Sequence, residues 1–133
     1  GLTLNVEDKD SAAILIVDDD KQFAGYLEAL LLEFDANITV RLAHDGFEAG
    51  KLISSFQPDL ILMDLMMPMM DGFETCKSIK ADPQTAQIRI ISMTGYASEK
   101  NVSRILALGA EDCLIKPIDE ELLMQYVSSI LIR

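Results

Sequence analysis

The 133-residue chain is half hydrophobic and carries 22 acidic against 11 basic residues, a formal net charge of -11. A chain of this length can bury roughly two-thirds of its unfolded surface in one core, and the acidic balance argues against direct binding of this segment to nucleic acid or an anionic membrane. It has no apolar run of the roughly 20 residues a membrane span needs and no leader-like start, and its two cysteines, Cys76 and Cys113, are expected as buried hydrophobes rather than a disulfide, which places the domain in the cytoplasm.

Residues 1–12 are polar and acidic and read as a flexible N-terminal tail, and Gly1 in the place of a Met suggests a processed or engineered end. The folded domain is expected over 13–133. Apolar runs rich in Ile, Val, Leu and Met predict strands at 13–17, 38–42, 60–63, 89–93 and 112–115. Between the first two, Phe23, Leu27, Leu30, Leu31 and Phe34 share a helical face, as do Leu122, Leu123, Tyr126, Val127 and Ile130 near the end. This alternation predicts an α/β fold of five parallel strands with five helices on both faces. Asp-Gly-Phe-Glu occurs at 45–48 and 71–74, each time before a helical pattern, and predicts an Asp N-cap with Glu three residues later; Asp119 suits the start of the last helix. These acids are set aside as catalytic candidates.

In a parallel sheet the strand C-termini share one edge, where ligands of open α/β sheets bind. The predicted strands bring there Asp18 and Asp19, then His44, Asp64, Thr94 and Lys116. Three carboxylates together repel one another, and one lysine cannot neutralise them, so the cluster calls for a divalent cation; hard oxygen donors point to Mg²⁺. A carboxylate can attack phosphorus, which makes Asp64 the candidate nucleophile. Each residue alone has a plainer reading: helix N-terminus for Asp18 to Asp20, loop acid for Asp64, turn hydroxyl for Thr94, solvated lysine for Lys116. Their convergence on one edge outweighs those readings. His44 reads as a surface loop residue. Of the methionines around the third strand, Met63 is expected in the sheet, while Met66, Met67, Met69 and Met70 line a loop that covers the site or meets partners, in preference to a thioether metal site.

Val17-Asp18-Asp19, Met63-Asp64-Leu65-Met66-Met67-Pro68, Met93-Thr94-Gly95 and Lys116-Pro117, in that order and each at a strand end, resemble the receiver domain of two-component response regulators, of the chemotaxis-regulator type, over about residues 13–131. The resemblance implies a flavodoxin-like three-layer fold with strand order 2-1-3-4-5. It implies that Asp64 accepts a phosphoryl group from the phosphohistidine of a histidine kinase or phosphotransfer protein. Asp18, Asp19, Asp64 and the Met66 backbone carbonyl would hold Mg²⁺, and Lys116 would pair with the phosphoryl oxygens. Thr94 would swing its hydroxyl to the phosphoryl group, Met66 and Tyr96 would tune its lifetime, and the peptide before Pro117 would be cis. Such a domain is a switch with intrinsic phosphotransfer and slow acyl-phosphate hydrolysis, not a turnover enzyme. It would signal through the face of the fourth helix, fifth strand and fifth helix, with Val102, Ile105, Leu106 and Tyr126 as candidates, to an output domain, an effector protein or a second copy. One departure stands out: Cys113 occupies a position commonly Phe or Tyr in the family, so the usual coupling of the threonine to a swinging aromatic is absent in that form. Two competing classes are a hydrolase with an aspartyl-phosphate intermediate, which would read Asp18-Asp19-Asp20 as its nucleophile motif, and a scaffold that is not phosphorylated.

Overall fold

A computed structural model describes residues 11–131. Strands β1 (Ala12–Val17), β2 (Ile38–Ala43), β3 (Leu60–Asp64), β4 (Arg89–Thr94) and β5 (Asp112–Ile115) form one parallel sheet in the order β2-β1-β3-β4-β5. Helices α1 (Lys21–Phe34), α2 (Gly46–Phe56), α3 (Gly72–Ala81), α4 (Glu99–Ala107) and α5 (Glu120–Leu131) connect and follow them. This is the flavodoxin-like α/β/α architecture, in the order expected.

Alternation along the strands divides the core in two. Ile14, Ile16, Leu60, Leu62, Ile91 and Met93 point to one face and pack against Leu27 and Leu31 of α1 and Leu123, Val127 and Ile130 of α5. Leu15, Val17, Ile61, Met63 and Ile90 point to the other, against Ala49 of α2, Phe73, Cys76 and Ile79 of α3 and Ile105 of α4. Because β1 and β3 are covered on both faces, their sequences are continuous apolar runs, whereas the edge strand β2 alternates buried with exposed residues. Each large side chain removed from water contributes about 1.5–3 kcal/mol.

The strands run further than their apolar residues. Ala43, Asp64 and Thr94 are still in register, opposite Val17, Met93 and Ile115. Asp64 and Thr94 are thus held by the ladder and not by loops. At the other end β1 begins at Ala12, one residue before the expected start, since Ala12 is buried and pairs with Ile38. Of the rest of the expected tail, Ser11 is exposed and residues 1–10 lie outside the described residues.

The helix starts behave as the acidic motifs foretold, with one variation. Asp45 accepts from Glu48 N at 2.8 Å, but the Glu48 carboxylate reaches past the cap to His44 N at 2.7 Å. Asp71 accepts from the amides of Phe73 and Glu74. Helix α4 ends on Gly109 at φ 115°, with Gly109 N bonded to Leu106 O and Ala110 N to Ile105 O, a Schellman closure that favours glycine. Gly72 is required for a different reason: a Cβ there would stand 2.8 Å from the Leu65 carbonyl oxygen. That close approach clamps the segment after Asp64, a small hairpin of Met66–Met67 and Met70–Asp71, onto the start of α3.

Two expectations need correction. Ile105, expected on the signalling face, is fully buried beneath α4, while Leu106 is exposed and Val102 and Tyr126 are half-buried. Met67, expected among the loop methionines, is buried in the core, because alternation within the two-residue strand turns it inward and its neighbour Met66 outward. Met63 lies in the sheet as expected, and Cys76 and Cys113 are buried free thiols. Among the described residues no helix is long and apolar enough to cross a membrane.

Candidate functional site

The sheet's C-terminal edge gathers the predicted residues by extending its own hydrogen bonding. Asp18 N donates to Ala43 O, Leu65 N to Met93 O and Lys116 N to Thr94 O, each at 2.8–3.0 Å. These bonds fix the backbone at the ends of β1, β3 and β5, and so hold Asp18, Asp64 and Lys116 where their side chains meet.

Lys116 Nζ lies 2.8 Å from Asp18 Oδ2 and 3.4 Å from Asp64 Oδ2. The remaining oxygens are tied to backbone amides: Asp18 Oδ1 accepts from Asp20 N at 2.9 Å and Asp64 Oδ1 from Met66 N at 3.1 Å. Asp18 and Asp64 are buried, whereas Asp19 is exposed, and one carboxylate oxygen from each of the three lies within 4.8 Å of the others. Burial pushes Asp64 above the ordinary carboxylate range, and the Asp18 charge adds to it, against the Met66 amide and Lys116. Burial alone would lower Lys116, but its hydrogen bond to Asp18 and the charges of Asp64 and Asp18 outweigh that and hold it raised. Three carboxylates with one ammonium leave excess negative charge, and their hard oxygen donors suit a divalent cation such as Mg²⁺.

The other predicted residues are arranged around this cluster. The Thr94 hydroxyl is buried and engaged within its own loop, donating to Tyr96 O at 2.9 Å and accepting from Tyr96 N at 3.1 Å. Tyr96 is 76% exposed, and Met66 is 62% exposed with its backbone beside Asp64. The Lys116–Pro117 peptide is cis. Cys113 is buried in β5 opposite Ser92, whose hydroxyl has no hydrogen-bond partner among the described residues.

Two contacts were not evident from the sequence. The Lys116 ammonium lies 4.4 Å from the centre of the Phe23 ring, so α1 supplies an aromatic face as well as core packing. His44 Nδ1 sits 3.1 Å from the Asp18 carbonyl oxygen, which ties the β2–α2 loop to the carboxylate strand. The one sequence signal was for His44, which directly follows β2; Phe23 lies inside α1, where its helical face reads as core.

The family model for the response regulator receiver domain matches residues 14–128. The chain belongs to that family. It is 37% identical over 120 residues to the "DNA-binding dual master transcriptional regulator RpaA" of Synechocystis sp., covering 90% of this chain and 49% of that protein. It is 40% identical over 121 residues to "Response regulator PleD" of Caulobacter vibrioides, covering 90% of this chain and 26% of the other. The chain therefore spans half or less of the length of these relatives. The crystal structure of the signal receiver domain of a DNA-binding response regulator from Colwellia psychrerythraea 34H superposes with a TM-score of 0.90 at 41% identity, covering 92% of this chain and all of that one. Receiver domains are signalling switches that work with histidine kinases and output domains, and the carboxylate cluster of this one is compatible with Mg²⁺.

Proposed function

We propose that this receiver domain is a phosphorelay switch in which Asp64 accepts a phosphoryl group from the phosphohistidine of a histidine kinase or phosphotransfer protein in the cytoplasm. The observation that carries the reading is the placement of Lys116 Nζ between Asp18 and Asp64 at one sheet edge, with Asp19 beside them. A carboxylate oxygen of Asp64 attacks phosphorus, the N–P bond breaks, and the imidazole leaves with the electron pair and takes up a proton. The product is an acyl phosphate. Lys116 pairs with the phosphoryl oxygens, and Asp18, Asp19, Asp64 and the Met66 backbone carbonyl would hold Mg²⁺. When bound, the ion supplies positive charge that offsets the phosphoryl oxygens.

Thr94 then exchanges its bonds to Tyr96 for one to the phosphoryl group. Because the hydroxyl now ties both the N–H and the carbonyl of Tyr96, that exchange releases the loop leading into α4. With Cys113 in place of an aromatic, the signal passes through Tyr96 and this loop to the face of α4, β5 and α5. There Leu106 and Ile115 are exposed, and an output domain, an effector or a second copy can read the change. Tyr96 and Met66, both exposed beside the site, set how long the acyl phosphate survives.

The test is the intact mass of wild type and Asp64→Asn after brief incubation with acetyl phosphate, with and without Mg²⁺. One phosphoryl addition that needs both Asp64 and Mg²⁺ is expected. Equal labelling of the variant would reject the assignment, and no labelling of either protein would favour the scaffold reading.

A further inference from the structure

Next to the carboxylate cluster, a recess of about 490 Å³ opens beside the hairpin that follows Asp64, walled by Met66, Met67, Met70, Asp71, Phe73 and Arg104. Its floor is apolar, with Met67 and Phe73 buried, and its outer edge carries the exposed Met66 side chain. At the hairpin tip Met69 adopts φ 63°, a left-handed conformation uncommon for a residue other than glycine, and its side chain stands fully in solvent. Thioethers are flexible and polarizable, which suits them to apolar surfaces that adapt to a partner.

The charges at the recess are unequal in what they have left to offer. Asp71 turns its Oδ1 to the amides of Phe73 and Glu74 at the start of α3. Arg104 lies with its guanidinium 4.0 Å from the centre of the Phe73 ring, and none of the ion pairs among the described residues includes it. On a chain of net charge -11, an arginine outside every ion pair among the described residues, at the edge of an apolar hollow, is the complement of a ligand that is apolar and acidic. The groove between α1 and α5 makes the opposite offer, since its charged walls, Glu33, Asp119, Glu120 and Glu121, are all acidic.

We infer that the methionine recess docks a segment of a partner protein that carries a leucine- or phenylalanine-sized anchor with a carboxylate about one helical turn away. The anchor enters among the methionines and the carboxylate pairs with Arg104. This inference does not depend on the phosphoacceptor role of Asp64.

Methyl-labelled methionine in the full chain provides the test. The probes are two twelve-residue amphipathic peptides with the same leucine and phenylalanine anchors, one carrying glutamates on its remaining face and the other lysines. The glutamate peptide should move the Met66, Met67 and Met70 methyls saturably, leaving Met93 and Met124 in place. Arg104→Glu, a change at an exposed position, should weaken that peptide by roughly tenfold or more and favour the lysine peptide, while Arg104→Lys keeps the original preference. Absence of saturable shifts, equal response to both peptides, shifts centred on Met124, or a preference unchanged in Arg104→Glu would each overturn the inference.

Discussion

At the N-terminal end of the strands a hollow of about 960 Å³ opens between α2, the α3–β4 loop and Arg89. Its charged groups are nevertheless committed to the fold. Asp59 accepts from Ala13 N, Asp82 from Gln84 N, and Arg89 binds Glu111 through two nitrogens and Ser129 through one. In the same loop region Lys80 Nζ donates to the Ala86 and Ile88 carbonyl oxygens. At the opposite end Asp18 and Asp64 share one lysine, Asp19 lies within 4.8 Å of both, and the three carboxylates keep net negative charge among themselves. What separates a site from a gap is thus uncommitted charge rather than volume.

The largest expected effect sets the two lysines against each other. In a chelator, Lys116→Ala leaves Asp18 and Asp64 facing each other without a counter-ion and should cost about 3 kcal/mol in urea denaturation. Millimolar Mg²⁺ should restore much of that loss. Lys80→Ala deprives two carbonyl oxygens of a charged donor and should cost about 2 kcal/mol, with no response to Mg²⁺. A comparison in which the ion rescues both variants, or neither, would erase the distinction between the two ends of the sheet.

The carboxylate half of this contrast was legible in the sequence. Strand runs and helical faces could be read because the two periods differ, and the site residues followed because every parallel strand delivers its C-terminus to the same edge. What could not be read depended on the phase of short elements or on distant contacts. In α4, Ile105 and Leu106 are adjacent and both apolar, and only the helix's rotation against β4 and β5 decides that Ile105 is buried. Met66 and Met67 differ through the register of a two-residue strand. Lys116 over Phe23, and Lys80 over the loop that follows α3, join parts of the chain whose local patterns carry no sign of each other. The acids set aside as caps were legible for the converse reason, since a cap and its amide lie within one turn.

A smaller effect concerns the cost of the unbalanced charge. Burial holds Asp64 above its ordinary value, so the folded state binds that proton more tightly than the unfolded chain, whose aspartates titrate near about 3.9. The resulting stabilisation is fully present below that pH and is lost as pH rises through the folded value. Asp64→Asn removes the titration. In a chelator its Tm should therefore exceed that of wild type by a few degrees at pH 7, with the gap closing toward about pH 4. A gap that widens on acidification would mean that Lys116 stabilises the Asp64 carboxylate more than burial penalises it.

The smallest effect tests whether α1 serves the site or only the core. Phe23→Leu keeps an apolar side chain against the first core but removes the ring face beneath Lys116, a contact worth about 0.5–1 kcal/mol. If that face positions the ammonium between Asp18 and Asp64, the ¹⁵N signal of Lys116 Nζ should shift and its pKa should move, and phosphoryl incorporation should slow by about two- to fivefold. Asp20, which caps α1 by accepting from Phe23 N at 3.1 Å, provides the control: Asp20→Ala should cost about 1 kcal/mol of stability through loss of the cap, and so lower Tm, while leaving the Lys116 signal close to that of wild type. Were both variants to lower Tm with the Lys116 signal unmoved, Phe23 would belong to the packing alone. The orientation of the lysine would then rest on its two carboxylates and on the bond from its own backbone N–H to Thr94 O.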